Sequence, residues 1–252
     1  MTGFFFLFEF WTVLFAYNVE EVSPPVTNLK ERGVFVFMWS KIIGVLIGIM
    51  GIIYIFFIPS DPVSTKIIFK LIPMLLIILL AFFQPVGESK KYKMLIIIGL
   101  TVCMLADGLI YWFIVGLITF LIGHIWYIFA FKQIKHTSLP KWAIALLLTY
   151  GLAMVIWLAG TLWSQGDTVL AFAVIVYIVV ILVMGWNAFQ TANKFAIVGA
   201  ILFIFSDSTL AINKFIIDIP FSDALIMISY YGAQFMFALS INYSATRKNL
   251  LK

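Results

Sequence analysis

The segment Leu75-Leu76-Ile77-Ile78-Leu79-Leu80 decides the class of fold, because it sets apolar side chains next to one another with no polar residue between them. A strand of a transmembrane β-barrel alternates apolar and polar residues over ~10 positions. A membrane-spanning helix instead needs about 20 predominantly apolar residues to cross the hydrocarbon core of a bilayer. The segment belongs to the longer apolar run Ile67–Phe83. The sequence therefore favours helices.

The composition excludes a soluble globular domain. Of the 252 residues, 64% are hydrophobic and 11% are charged, whereas soluble domains have about 45–50% and about 25%. The one cysteine, Cys103, lies in an apolar run, so neither a disulfide framework nor a thiolate metal site is expected. The net charge of +5 is spread over short loops, which argues against a nucleic-acid partner. No metal or other cofactor is predicted.

Uninterrupted apolar runs predict an all-α fold, a polytopic transmembrane bundle of eight spans. Two of the runs are almost continuous, so a tight hairpin is expected within Tyr111–Gly116. We divide the chain into an N-terminal extension (residues 1–29), an eight-helix domain (30–246) and a tail (247–252). The predicted spans are Val34–Ile58, Ile67–Phe83, Met94–Phe113, Ile114–Phe131, Trp142–Trp163, Val169–Phe189, Phe195–Asn213 and Asp223–Tyr243.

The apolar stretch of residues 4–17 does not fit the pattern of the other spans. It is short, it contains Glu9, and no Lys or Arg precedes it as in a signal peptide. We interpret it as an interfacial or poorly ordered extension, with a ninth span as the alternative.

The distribution of basic residues predicts the orientation of the bundle. With eight spans, 13 Lys and Arg residues fall on one side of the membrane and three on the other. Cytoplasmic loops carry the excess of positive charge, so both termini are expected in the cytoplasm. The three on the opposite side are Lys66, Lys70 and Lys214, and the 13 are Lys30, Arg32, Lys41, Lys90, Lys91, Lys93, Lys132, Lys135, Lys141, Lys194, Arg247, Lys248 and Lys252.

Ionisable side chains inside the predicted spans are the candidate functional residues, because each costs roughly 2.5–3.5 kcal/mol near the bilayer centre and usually faces the bundle interior. Asp107 and Asp207 fall at matching depths, roughly 18–20 Å from the cytoplasmic face. We expect one polar chamber in the opposite half of the membrane. Its predicted members are Lys70, Asp107, His124, Asp207, Asn213, Lys214, Tyr230, Tyr231 and Gln234.

Two carboxyl groups in such a chamber are suited to acid and base catalysis. Both cannot ionise cheaply in a medium of low dielectric constant, so one tends to keep its proton. We therefore predict that Asp107 and Asp207 are catalytic, one as general acid and one as general base. A lysine at Lys70 or Lys214 can hold an anionic group. The alternative is that an Asp and a Lys merely neutralise each other inside the bundle.

The polar residues lie within several longer motifs. These are Lys70 with Pro73, Ala106-Asp107-Gly108, Gly123-His124-Ile125-Trp126-Tyr127, Gly199-Ala200-Ile201-Leu202-Phe203-Ile204-Phe205-Ser206-Asp207, Ala211-Ile212-Asn213-Lys214-Phe215, Ala224-Leu225-Ile226-Met227 and Tyr230-Tyr231-Gly232-Ala233-Gln234. Together they resemble the lysoplasmalogenase family of YhhN-like membrane proteins, and most closely its animal members; Lys70 with Pro73 resembles a lysine–proline element of the family's second span. The resemblance covers about residues 30–245 and is strongest after residue 195.

The resemblance implies an eight-helix enzyme of the endoplasmic reticulum or another internal membrane. Such an enzyme hydrolyses the vinyl ether bond of lysoplasmalogens to a fatty aldehyde and glycerophosphoethanolamine or glycerophosphocholine. The family's two acidic positions fall on Asp107 and Asp207. The predicted substrate-binding residues are Lys70, His124, Tyr127, Asn213, Lys214, Tyr230, Tyr231 and Gln234.

Two other kinds of protein, a transporter and a lipid sensor, fit the same polar residues. Whether the protein is a monomer or a homodimer is left as an alternative. A lipid or ion transporter uses intramembrane Asp and Lys side chains along its path, and a lipid sensor can keep the pocket without catalysis. A retinal protein is disfavoured, because the last span has no lysine before Lys248. The predicted partners are a lysophospholipid substrate and membrane lipids. A homodimer through the GxxxG motif Gly44–Gly48 is an alternative to a monomer.

Overall fold

The computed structural model describes the backbone of residues 29–59, 61–135, 137–139 and 141–250, and the side chains from residue 40 to residue 243 within those ranges. Within them every regular element is helical. We number eight helices in chain order: α1 Leu29–Phe56, α2 Val63–Phe83, α3 Lys90–Leu109, α4 Phe113–Lys132, α5 Lys141–Ser164, α6 Thr168–Gln190, α7 Lys194–Phe215 and α8 Ser222–Leu250.

Seven of these helices are long and apolar enough to cross a membrane. They correspond to seven of the predicted spans, with ends displaced by a few residues. For α1, the apolar stretch with described side chains is the shorter Ser40–Phe56. The chain is therefore an all-helical, multi-pass integral membrane protein. The predicted extension up to residue 28 and residues 251–252 of the predicted tail lie outside the described residues.

The predicted hairpin between the third and fourth spans is present and tighter than the sequence suggested. The chain turns at 110–112, where the Trp112 amide donates to the Leu109 carbonyl at 2.9 Å, and α4 already begins at Phe113. A Cβ atom at Gly116 would lie 2.7 Å from the Ile110 Cα. Only glycine allows this close approach of the two helices.

Polar caps set the beginnings of two helices on the side predicted to be cytoplasmic. The Ser89 hydroxyl accepts a hydrogen bond from the Tyr92 amide at the start of α3. The Asn193 side chain accepts from the amides of Phe195 and Ala196 at the start of α7. Such caps satisfy amides that have no partner inside the helix.

Helix α8 is the centre of the bundle. Within its apolar window 72% of the residues are buried, compared with 28% in α2 and in α5. It packs against α1, α2, α3 and α7. Helix α5 instead packs on α6 and joins a second, smaller apolar cluster with α7. The core is thus divided into a large part around α8 and a smaller part around α5 and α6.

Part of the GxxxG motif of α1 faces the interior of the bundle. Gly44 is buried and Gly48 is half-buried, beside the buried side chains of Ile43 and Ile47. This face of the helix is therefore at least partly covered by the same chain. The homodimer stays a prediction.

Candidate active site

Asp107 lies at the centre of a closed polar cluster. Its carboxylate, on α3, is 1% exposed and forms an ion pair with the Lys70 Nζ of α2, which lies 2.9 Å from Oδ1. The Tyr230 hydroxyl of α8 donates to the other oxygen, Oδ2, at 2.6 Å. Both carboxylate oxygens are therefore engaged by the protein. We call Asp107, Lys70 and Tyr230 the Asp107 cluster.

The backbone next to Lys70 is held by a neighbouring tyrosine. Pro73 lies inside α2 and has no amide to donate, so the hydrogen-bond ladder of the helix is incomplete at this point. The Tyr231 hydroxyl donates to the Lys70 carbonyl at 2.9 Å. Tyr231, one of the predicted site residues, therefore stabilises the turn that carries Lys70 by a hydrogen bond to the main chain.

Asp207 has different neighbours. The Tyr177 hydroxyl of α6 donates to its Oδ2 at 2.5 Å, and the His124 Nε2 of α4 lies 3.8 Å from the same oxygen. His124 is fully buried, and its ring packs edge-to-face on Tyr177 and on Phe203. The Asp207 side chain keeps 14% of its surface exposed. We call Asp207, Tyr177 and His124 the Asp207 cluster.

Aromatic rings separate the two clusters, where the sequence predicted one chamber. The Phe203 ring centroid lies 4.6 Å from that of His124 and 5.6 Å from that of Tyr230. Phe120 also packs edge-to-face on Tyr230. Depth along the helices predicted only that both carboxylates lie at one level. It carried no information on which rings lie between them.

An apolar cavity adjoins the Asp207 cluster. The space amounts to about 670 Å³ including its open mouth, and Asp207 and Tyr177 are part of its lining, whereas Asp107 is not. Two further polar side chains line it, Tyr150 and Ser208, which are hydrogen-bonded to each other. Its apolar lining is contributed by α4, α5, α6 and α7 together with Ile110. Asp207 is thus the one of the two acids that a ligand in this cavity can contact.

A widened turn in α5 accompanies the cavity. Residues Val155–Ala159 form a π-helical turn, and Met154 and Leu158 from this part of the helix line the cavity. Single π-helical turns are frequent at functional sites. No pattern in the sequence signalled it.

The other predicted site residues lie apart from this cavity lining. Tyr127 and Gln234 are fully buried, and the Tyr127 hydroxyl donates to the Gln234 Oε1 at 2.5 Å. Asn213 accepts a hydrogen bond from the Ile219 amide at 2.8 Å and so holds the loop before α8. Lys214 is exposed, with its Nζ 5.5 Å from the centre of the Phe113 ring.

Sequence reasoning missed Tyr177, Tyr150 and Ser208. Tyr177 had a usable signal, since it is a hydroxyl-bearing residue in the middle of the aliphatic span Val169–Phe189. Tyrosines near span ends are usually interfacial, but one at mid-span needs a hydrogen-bond partner when it is buried. Its partner is Asp207.

The fold and the site together define a multi-pass helical membrane protein with two buried carboxylates, one of which lines an apolar cavity. The chain belongs to the YhhN family, which it matches over residues 65–241. No solved structure matches it.

Among similar proteins, the lysoplasmalogenase TMEM86A of Bos taurus is 34% identical over 164 residues, which cover 58% of this chain and 64% of that protein. The human TMEM86A lysoplasmalogenase is 32% identical over 163 residues with the same coverage. The lysoplasmalogenase TMEM86B of Rattus norvegicus is 29% identical over 191 residues, or 74% of this chain and 78% of that protein. The chain thus spans less than two thirds of the length of the two TMEM86A proteins.

Proposed function

We propose that the protein hydrolyses the vinyl ether bond of lysoplasmalogens. The products are a fatty aldehyde and glycerophosphoethanolamine or glycerophosphocholine. The observation that carries the proposal is the position of Asp207, a buried carboxyl group at the wall of an otherwise largely apolar cavity. The names of the similar proteins support the substrate class.

The contacts of Asp207 suit a proton donor. Tyr177 and His124 both approach Oδ2, which leaves Oδ1 as the oxygen to carry a proton towards a ligand. Acid cleaves a vinyl ether by protonating its alkene carbon, which yields an oxocarbenium ion. Asp207 supplies this proton, and its carboxylate then accepts a proton from the attacking water. The resulting hemiacetal breaks its bond to the glycerol oxygen and releases the aldehyde.

The second aspartate acts through its charge. Asp107 is paired with Lys70 at 2.9 Å and receives the Tyr230 hydroxyl, contacts that favour a carboxylate without a proton. An anion fixed behind the aromatic rings stabilises the positive charge that develops in the cavity, because electrostatic interactions are strong where water is excluded. This division assigns general acid catalysis to Asp207 and electrostatic support to Asp107.

The membrane arrangement is part of the proposal. We infer eight spans with both termini in the cytoplasm and a location in the endoplasmic reticulum or another internal membrane. Cys103 is buried, so cysteines introduced at Ser138 and Asp218 can be labelled with a membrane-impermeant maleimide in sealed vesicles. Equal labelling of both from the same face contradicts this topology.

The test is aldehyde release by purified protein from lysoplasmenylethanolamine, with 1-acyl lysophosphatidylethanolamine as the control lipid. Wild type should release aldehyde from the vinyl ether alone. Asp207→Asn should lower turnover by at least ~10²-fold with folding intact, and Asp107→Asn should do the same in the protein that remains folded after its ion pair with Lys70 is broken. Asp218→Asn, which changes an exposed acid in the loop after α7, should not lower turnover. Near-normal turnover in Asp207→Asn would disprove its assignment. A folded wild type that releases no aldehyde favours a lipid sensor or transporter.

A further inference from the structure

Three lysines lie at the end of the bundle where α2 and α8 begin, and two of them are paired with acids. Lys66 Nζ lies 3.4 Å from the Asp223 carboxylate, and Lys70 Nζ lies 2.9 Å from that of Asp107. Lys214 differs: in the part of the chain that the structure describes, no carboxylate lies within ion-pair distance of its Nζ. Among the described side chains it is thus an exposed cation without a counter-ion.

The position of Lys214 connects it to the cavity. Its Nζ lies over the Phe113 ring, which packs edge-to-face on Phe215 with centroids 5.6 Å apart. Both phenylalanines line the cavity. They come from the first turn of α4 and the last turn of α7, so they lie at the end of the cavity nearest the membrane surface. We call this end of the cavity its mouth, and Lys214 lies beside it without being part of the lining.

The spacing between Lys214 and Asp207 fits one lipid molecule. The two residues are seven positions apart on α7, which is about two helical turns or ~10.5 Å along the axis, and they share a face. In a lysoplasmalogen, a glycerol backbone separates the vinyl ether from the phosphate. The flexible side chain of Lys214 can extend along the helix towards Asp207 and so reach a phosphate that lies closer than ~10.5 Å to the vinyl ether.

We propose that Lys214 binds the phosphate of the lysophospholipid at the mouth of the cavity, so that the enzyme selects substrates with an anionic group one glycerol away from the vinyl ether. This inference rests on the proposed function and adds the headgroup requirement. The loops at the same end also carry Asp61, Asp167 and Asp218, which repel an anion. Lys214 supplies the positive charge that lets a phosphate approach.

The kinetic test compares lysoplasmenylethanolamine with 1-alkenylglycerol, which has the vinyl ether and no phosphate. Lys214→Ala should raise KM for the phospholipid about tenfold, since one charge-assisted contact is lost, with kcat and the kinetics on 1-alkenylglycerol unchanged. Lys214→Arg should restore KM. The matched control is Lys66→Ala, which removes the same charge from the same end and should leave KM within about twofold. Equal effects of Lys214→Ala on both substrates, or no effect on either, would overturn the inference.

A binding test separates this inference from the proposed function. Saturated 1-O-alkyl lysophosphatidylcholine cannot be hydrolysed by vinyl ether chemistry, and 1-O-alkylglycerol is its phosphate-free partner. Lys214→Ala should weaken binding of the first and leave binding of the second unchanged. If wild type releases no aldehyde, but Lys214→Ala weakens binding of the phospholipid alone, the proposed function fails and the phosphate site stands. If wild type is active and Lys214→Ala binds both lipids normally, the phosphate site fails.

Discussion

Asp107 and Asp207 are the same residue type and are predicted to lie at the same depth, yet the structure gives them different surroundings. Asp107 is closed in, with Lys70 on one oxygen and Tyr230 on the other. Asp207 is held on one oxygen by a neutral hydroxyl and borders a cavity. The pair shows that the chemical role of a buried acid is set by its neighbours from other helices. Predicted depth in the membrane identifies an acid as a candidate functional residue but does not indicate its role.

The same difference extends to the packing around each cluster. The large core around α8 is dense at Asp107: Cys103, Ala106 and Tyr230 are all buried beside it. Beside Asp207, side chains of the smaller core such as Leu158 and side chains of the large core such as Ile181 leave a cavity between them. One region is thus built to fix a charge and the other to admit a ligand. Three sets of substitutions test this contrast.

The largest effect is expected from breaking the buried ion pair. Lys70→Met leaves the Asp107 carboxylate buried without its cation, and breaking a buried pair from one side costs about 3–5 kcal/mol. Thermal unfolding in detergent should show this loss. The double variant Lys70→Met with Asp107→Asn should recover most of the stability and remain inactive. The control Lys66→Met breaks a partly exposed pair, for which about 0–1 kcal/mol is expected. A Lys70→Met single variant as stable as wild type would contradict the claim that the Asp107 cluster depends on its buried ion pair.

The second effect concerns packing density. A Cβ atom at Gly99 would collide with the Tyr127 ring, which Gln234 holds by a hydrogen bond, so Gly99→Ala should destabilise the fold by about 1–3 kcal/mol. At Gly185 the new Cβ would lie 2.9 Å from the Ile204 Cδ1, the end of a flexible side chain that lines the cavity and can turn into it. Gly185→Ala should therefore change the unfolding temperature little.

Gly108→Ala is the matched control for these two variants, because no atom lies within 4 Å of its added Cβ. It should be neutral or slightly stabilising, as alanine favours a helix over glycine by roughly 0.5–1 kcal/mol. Equal destabilisation by Gly99→Ala and Gly185→Ala would show that the packing around Tyr127 is no tighter than the packing beside the cavity.

The smallest effect is expected at the tyrosines that hold the two acids. Tyr177→Phe removes the hydrogen bond that orients the proton donor and should lower kcat about tenfold, with KM nearly unchanged. Tyr230→Phe removes one of two contacts to a carboxylate that Lys70 still holds in place, so its kcat should fall less. Aldehyde release at saturating substrate measures both. A larger loss in Tyr230→Phe would reverse the proposed roles of the acids.

The sequence predicted the helices well because their determinant is local. Each span is a run of apolar residues long enough for a bilayer, and its ends follow from caps and polar loops such as Ser89 and Asn193. The hairpin after Asp107 followed from length alone, since the combined run is too long for one span. Its turn at 110–112 was displaced from the centre of the predicted segment, because a backbone contact between Ile110 and Gly116 sets its position.

The sequence by itself determined the membrane-spanning helices and the two acids as candidates, because these depend on residue type and on a fixed rise per residue. Only the tertiary structure decided that Lys70 pairs with Asp107, that Tyr177 holds Asp207, and that Phe203 stands between the clusters. Each of these facts depends on the rotation and packing of helices that are distant in sequence. An apolar run specifies its length in the membrane, but nearly every face of it is apolar, so it does not specify which face meets which neighbour.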